Sequence, residues 1–138
     1  MRLVVGSMLC ALGLAGCGGS SSINGSNPTG AGGGVPVAVT MADYYFAPAP
    51  LTIKAGTTVK WANTGTTSHT VTSDAGVSPA FDSGSLPAPG TTMDPYGGTV
   101  HTSGGSYSAT FSTPGTYAYH CTFHGTTNNM KGTITVTP

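Results

Sequence analysis

Tyr117-Ala118-Tyr119-His120-Cys121-Thr122-Phe123-His124-Gly125-Thr126-Thr127-Asn128-Asn129-Met130-Lys131-Gly132 decides how this 138-residue chain is read. Residues 115–120 read as a strand, and Cys121 ends it. Side chains alternate along a strand, so Tyr117, Tyr119 and Cys121 are expected to face the interior together. His120 then points outward beside Cys121. His124 and Met130 lie on the loop that precedes another strand, 132–136. Cysteine, histidine and methionine are soft ligands, and that set selects copper. A strand end supplies one rigid ligand, and a short loop returns two more to the same point. A second imidazole must come from elsewhere, and His69 is the candidate.

Working outward, residues 35–43 alternate apolar with small or polar residues, as a half-buried strand does. Residues 44–50 read as an aromatic, then proline-rich corner. Further strands are expected at 51–54, 57–62, 69–73, 106–111, 115–120 and 131–137. Trp61 is the single tryptophan and a core candidate. No helical periodicity appears after the first residues. Short strands at this spacing predict an all-β Greek-key sandwich. About a hundred residues suffice for one core. Residues 75–105 break the pattern: they are long and rich in Gly, Pro and Ser, a segment either functional or loose. His101 within them reads as solvated.

Composition excludes several functions. Lys54, Lys60 and Lys131 face Asp43, Asp74, Asp82 and Asp94, which leaves the chain beyond Arg2 at minus one. No cluster of Lys and Arg offers a footprint for nucleic acid. The sequence contains no Glu, so a pair of catalytic glutamates is ruled out. No nucleophile elbow or hydrolase triad motif is present. Of three cysteines, Cys10 and Cys17 lie in the first segment, so Cys121 has no disulfide partner in the folded part. A lone thiol in an oxidising compartment is exposed to oxidation unless a metal holds it.

The first residues read as targeting. Arg2 gives a positive start and residues 3–14 are apolar, too short to span a bilayer comfortably. Leu14-Ala15-Gly16-Cys17 resembles the lipobox of bacterial lipoproteins, which implies cleavage before Cys17 and lipidation of that residue. Gly18, rather than Asp, follows, which favours the outer membrane in a Gram-negative host. The chain thus divides into a signal peptide (1–16), a lipidated Cys17 with a Gly/Ser-rich tether (17–34), and a domain (35–138). A tether of that composition reaches roughly 20–25 Å.

The domain resembles the cupredoxins, the small blue-copper proteins of the plastocyanin, amicyanin and pseudoazurin type. The resemblance covers most of 37–136. Trp61-Ala62-Asn63 and Ser68-His69-Thr70-Val71 resemble the region of the first ligand. Tyr119-His120-Cys121-Thr122-Phe123-His124, with Met130, Gly132, Ile134 and Val136, resembles the ligand loop and last strand. Within 75–105 only Phe81-Asp82-Ser83-Gly84 matches. The resemblance implies one type 1 copper held by His69, Cys121 and His124, with Met130 as a weak axial ligand. It implies single-electron transfer between redox partner proteins, with the edge of His124 in an apolar patch as the port. Five residues separate His124 from Met130, one more than in the plastocyanin type and three more than in amicyanin. The extra residue is either absorbed near Gly125 or shifts the axial sulfur. Phe123 stands where a proline is common, which alters loop stiffness more than ligation.

The expectation is therefore a membrane-tethered, monomeric electron carrier at the cell envelope, not an enzyme. Two alternatives share the fold: a copper-binding or delivery protein, and a red-copper-like site opened by the longer loop. A metal-free interaction module is a third. Zinc is the rival metal, but structural zinc takes four strong ligands and three are visible.

Overall fold

The computed structural model describes residues 34–138; the expected leader, Cys17 and the expected tether up to residue 33 lie outside the described residues. Among the described residues ten strands run in chain order: β1 (Val37–Ala42), β2 (Tyr45–Ala47), β3 (Leu51–Lys54), β4 (Thr57–Asn63), β5 (Thr72–Ser73), β6 (Gly90–Met93), β7 (Thr99–Thr102), β8 (Ser106–Phe111), β9 (Gly115–His120) and β10 (Lys131–Thr137). One sheet has the order β2-β1-β4-β8 and the other β3-β10-β9-β5, while β6 and β7 form a ribbon of their own. β1 lies parallel to β4 and β10 parallel to β3; the remaining pairs are antiparallel. This is the expected Greek-key β-sandwich.

The alternation that suggested strands is the alternation that fills the core. Val37, Val39 and Met41 of β1 and Val59 and Trp61 of β4 turn inward from one sheet. Leu51 and Ile53 of β3, Tyr117 and Tyr119 of β9, and Ile134 and Val136 of β10 meet them from the other. Each such Val, Leu, Ile or Met side chain stabilises the fold by about 1.5–3 kcal/mol relative to exposure. Trp61 is central, with its ring centroid 5.7 Å from Tyr119, 6.2 Å from Phe111 and 6.2 Å from Phe81. Burial pushes the pKa of the Tyr119 hydroxyl up to about 12. Gly132 of β10 pairs with Tyr119, and a Cβ there would collide with that ring. The glycine two residues after Met130 is thus fixed by packing. The Tyr117 hydroxyl donates to the Thr113 carbonyl at 2.8 Å, pinning the turn between β8 and β9.

Three local expectations change. The aromatic corner contains a short strand, β2, paired antiparallel with β1. The strand expected over 69–73 is reduced to Thr72–Ser73, which pairs with β9, because His69 makes only an isolated bridge, to Leu86; Thr72 adds a second such bridge, to Asp82. Residues 75–105 are not one loose loop. Their first part lies along the sandwich through those two bridges, and their second part is the β6–β7 ribbon. The ribbon was invisible to periodicity because neither strand has a buried face.

Candidate metal centre

His69 lies in the connection after β4, which is tied down before it reaches the site. The side-chain amide of buried Asn63 donates to the carbonyls of Thr67 (2.8 Å) and Leu86 (3.0 Å), and its oxygen accepts from the Gly65 N–H (2.9 Å). His69 and Leu86 then exchange backbone bonds of 3.0 and 2.8 Å. The imidazole has no freedom to leave, and its ring is fully buried.

Cys121 arrives from the end of β9. Its N–H donates to the Met130 carbonyl at 3.1 Å, which closes the mouth of the loop. Its sulfur accepts from the Thr70 N–H at 3.4 Å. The Thr70 hydroxyl accepts from the Thr122 N–H at 2.9 Å, so the connection carrying His69 is stitched to the loop carrying Cys121.

The loop itself is wound tightly. The Cys121 carbonyl accepts from His124 N–H (3.3 Å) and Gly125 N–H (2.7 Å), and the His124 carbonyl accepts from Asn128 N–H (2.9 Å) and Met130 N–H (3.3 Å). A Cβ at Gly125 would lie 2.7 Å from the Cys121 carbonyl oxygen, so only glycine allows this turn. Asn129, at φ 55°, supplies the left-handed step that returns the chain to β10; Asn tolerates that region. Met130 returns fully buried at the end of this turn.

The three expected strong ligands converge. One donor atom from each of His69, Cys121 and His124 lies within 4.8 Å of the others. Cys121 Sγ is 3.7 Å from His69 Nδ1 and 3.5 Å from His124 Nδ1, and the two Nδ1 atoms are 3.2 Å apart. His69 and Cys121 are buried, whereas His124 is partly exposed. Burial first, and the nearby His124 second, hold the His69 imidazole below its ordinary pKa. A neutral ring with an inward-facing nitrogen is what a metal requires. Two imidazoles and a thiol, with Cys121 free of disulfide, fit one soft metal ion, and the set suits copper.

Around this centre stand residues that spacing did not reveal. His69 Nε2, facing away from the ligand cluster, is 3.4 Å from Thr67 Oγ1 and 3.8 Å from Asp43 Oδ1. Bonds from the Thr66 hydroxyl (2.8 Å) and backbone N–H (2.7 Å) hold the Asp43 carboxyl below its ordinary pKa, the hydroxyl being the larger cause. Tyr44 packs edge-on against His124 with ring centroids 5.0 Å apart, and Phe123 stands 6.2 Å from it on the exposed side. Tyr44 has φ 72°, a left-handed conformation that costs a non-glycine residue about 1–2 kcal/mol. His120 does point outward, and its Nδ1 meets Asp74 Oδ1 at 2.5 Å in a groove shared with Gly125, Thr126 and Lys131. The one signal in the sequence was the two-residue break Asp43-Tyr44 between apolar runs. The partners of Asp43 and Asp74 are set by the fold alone. His101 sits on the exposed β6–β7 ribbon, 3.3 Å from the Thr91 hydroxyl, and is not part of the cluster.

The centre has counterparts. Residues 34–137 match the family of copper binding proteins that comprises plastocyanin and azurin. Plastocyanin of Scenedesmus fuscus is 42% identical over 95 residues, covering 66% of this chain and 85% of the relative. Plastocyanin of Dryopteris crassirhizoma is 34% identical over 104 residues, 74% of this chain and 97% of the relative. Among solved structures, amicyanin from Paracoccus versutus is 28% identical with a TM-score of 0.52, covering 74% of this chain and 81% of that one. The copper-containing nitrite reductase of Thermus scotoductus is 27% identical with a TM-score of 0.58 over 80% of this chain, but this chain spans only 25% of that enzyme. The match over nearly all described residues, with the His, Cys and His donors gathered at one end of the sandwich, means that the chain belongs to the plastocyanin/azurin family of copper-binding proteins.

Proposed function

We propose that this protein is a type 1 copper protein that carries single electrons between redox partner proteins at the cell envelope. The convergence of His69 Nδ1, Cys121 Sγ and His124 Nδ1 carries the reading. Copper bound there supplies a one-electron Cu(I)/Cu(II) couple. The chain supplies the frame. Backbone bonds fix His69 to Leu86 and Cys121 to Met130, and the Thr70 N–H donates to the thiolate, so ligand positions are set by the fold and not by the metal. A frame that does not move between oxidation states keeps reorganisation small, which favours fast transfer. Met130, buried beside the loop, is the proposed axial ligand. His124 is the ligand nearest the surface, and the exposed parts of Tyr44 (45%) and Phe123 (51%) give its neighbourhood an apolar surface suited to transient contact with a partner.

The plastocyanin and amicyanin relatives support a carrier. The nitrite reductase neighbour does not argue for an enzyme, since this chain spans a quarter of it. Burial of His69 and Cys121 leaves no evident approach for a substrate. The leader and Cys17 support lipid anchoring of the head at a membrane.

The test is to load the full-length chain with Cu(II) and record visible and EPR spectra. An intense thiolate-to-copper band with narrow copper hyperfine splitting, lost in Cys121→Ser, is the expected result. A colourless protein that still binds Cu(I) would move the function to copper delivery. A spectrum perturbed by azide would indicate an open site. For anchoring, the mature chain is expected to carry lipid at Cys17, and Cys17→Ala to release the protein from the membrane fraction.

A further inference from the structure

The turn between β1 and β2 consists of Asp43 and Tyr44, and each touches a different imidazole of the centre. Because β1 runs parallel to β4, the end of β1 and the connection that carries His69 leave their strands at the same edge of the sandwich. The turn therefore lies over the ligand cluster. We propose that Asp43 and Tyr44 act as a clamp on both histidines: Asp43 with Thr67 keeps the outward nitrogen of His69 protonated and its inward nitrogen bare, Tyr44 fixes the ring plane of His124, and the carboxylate biases the bound metal toward its higher oxidation state. This inference rests on the reading that His69 and His124 hold copper.

His69 Nδ1 faces the thiol and the other imidazole, so Nε2 is the only nitrogen left for an outer partner. Thr67 Oγ1 lies 3.4 Å from Nε2, in place to accept an N–H there, while Asp43 Oδ1 at 3.8 Å is beyond hydrogen-bond length and acts as a charge. Outer partners of this kind fix tautomer and orientation in metal-bound histidines.

The carboxylate is also placed with care. Thr66 grips both its oxygens, and Gly65 leaves it room, since a Cβ there would lie 2.5 Å from Oδ1.

Tyr44 occupies a turn position at φ 72° where Gly or Asn is the ordinary choice. A bulky residue held there calls for an explanation, and strained backbone gathers at functional sites. What the chain gains is an aromatic ring against His124, at 5.0 Å and 75°. His124 is the partly exposed ligand, and so the one most in need of a lateral support.

A fixed negative charge near the centre favours Cu(II) over Cu(I) and lowers the reduction potential. Asp43→Asn keeps the shape and removes the charge. It is expected to shift the ratio of Cu(II) to Cu(I) affinity by about tenfold toward Cu(I), a potential roughly 59 mV higher. Tyr44→Gly relieves the backbone and removes the ring. It is expected to leave the melting temperature no lower, while copper dissociates several-fold faster and the His124 ring resonances lose their aromatic shift. Tyr44→Phe is expected to restore both.

The measurements are made on the full-length chain: potentiometry and copper release on the loaded protein, and imidazole NMR on the metal-free protein. An unmoved potential in Asp43→Asn, or unchanged His124 resonances and copper release in Tyr44→Gly, would overturn the clamp. A wild type without the intense thiolate band would instead sink the copper reading. The clamp would then stand or fall on the metal-free resonances: protonated Nε2 on His69 and a shifted His124 ring sustain it, and their absence refutes it.

Discussion

Two connections in this molecule have similar composition and opposite fates. The ligand loop, 121–130, and the ribbon, 90–102, are both built largely from Gly, Thr and small polar residues. The first is wound on itself by backbone bonds to the Cys121 and His124 carbonyls and ends in the fully buried Met130. The second pairs only with itself and leaves Met93, Tyr96 and Val100 exposed. What separates them is not propensity but attachment. The ligand loop is anchored at both ends by β9 and β10 in register and stitched across to Thr70. The ribbon holds its turn through Asp94, which accepts from the Tyr96 and Gly98 N–H groups at 2.8 and 2.7 Å, but these bonds are local.

The contrast breaks most readily at Gly125. Val there would drive a branched side chain into the Cys121 carbonyl and the His120 side chain. We expect Gly125→Val to destabilise the fold by about 3 kcal/mol, near the upper end for overpacking, and to abolish copper retention, as read by denaturant titration and metal analysis. Thr70→Val is milder. It keeps the volume but leaves the Thr122 N–H without its acceptor in a part-buried place. A loss of about 1–3 kcal/mol is expected, with faster amide exchange at Thr122 as the local signature.

The ribbon should yield far less. Replacing residues 91–101 by a short Gly-Ser link is expected to leave the thiolate-to-copper band in place and stability within about 1 kcal/mol, since few contacts cross from it to the sandwich. Smallest of all, Tyr96→Ser should change stability by less than about 0.5 kcal/mol, while removing the first chymotryptic cut, because Tyr96 is 97% exposed at the ribbon's tip. A ribbon whose excision cost as much as Gly125→Val would refute the contrast.

Much of the site could be read directly. Three of the four proposed ligands lie in one stretch, and the alternation of β9 placed Tyr117, Tyr119 and Cys121 inward as found. His69 was reachable because it opens the strand expected over 69–73, and Ser68-His69-Thr70-Val71 resembles the region of the first ligand. The sandwich was legible wherever a strand has one buried face. β6 and β7 have none, and β2 is only three residues long, so neither leaves a period to detect. Asp43 and Asp74 escaped for a different reason. Each acts on a histidine far along the chain, as Asp74 does on His120 across 46 positions, and nothing in local spacing encodes such a pair.

The placement of β10 bears on when the chain can first hold metal. Among the described residues this strand comes last, yet it sits inside its sheet, between β3 and β9, and bonds to Ile53 from 84 positions away. Pairings so distant form late and slowly, because the loop they close is long. Until β10 docks, Met130 is not in place and the ligand loop has no second anchor. During synthesis, therefore, a growing chain presents His69 first, then Cys121 and His124 on a loop anchored only at β9. The frame that fixes the donor positions is complete only when β10 is in place.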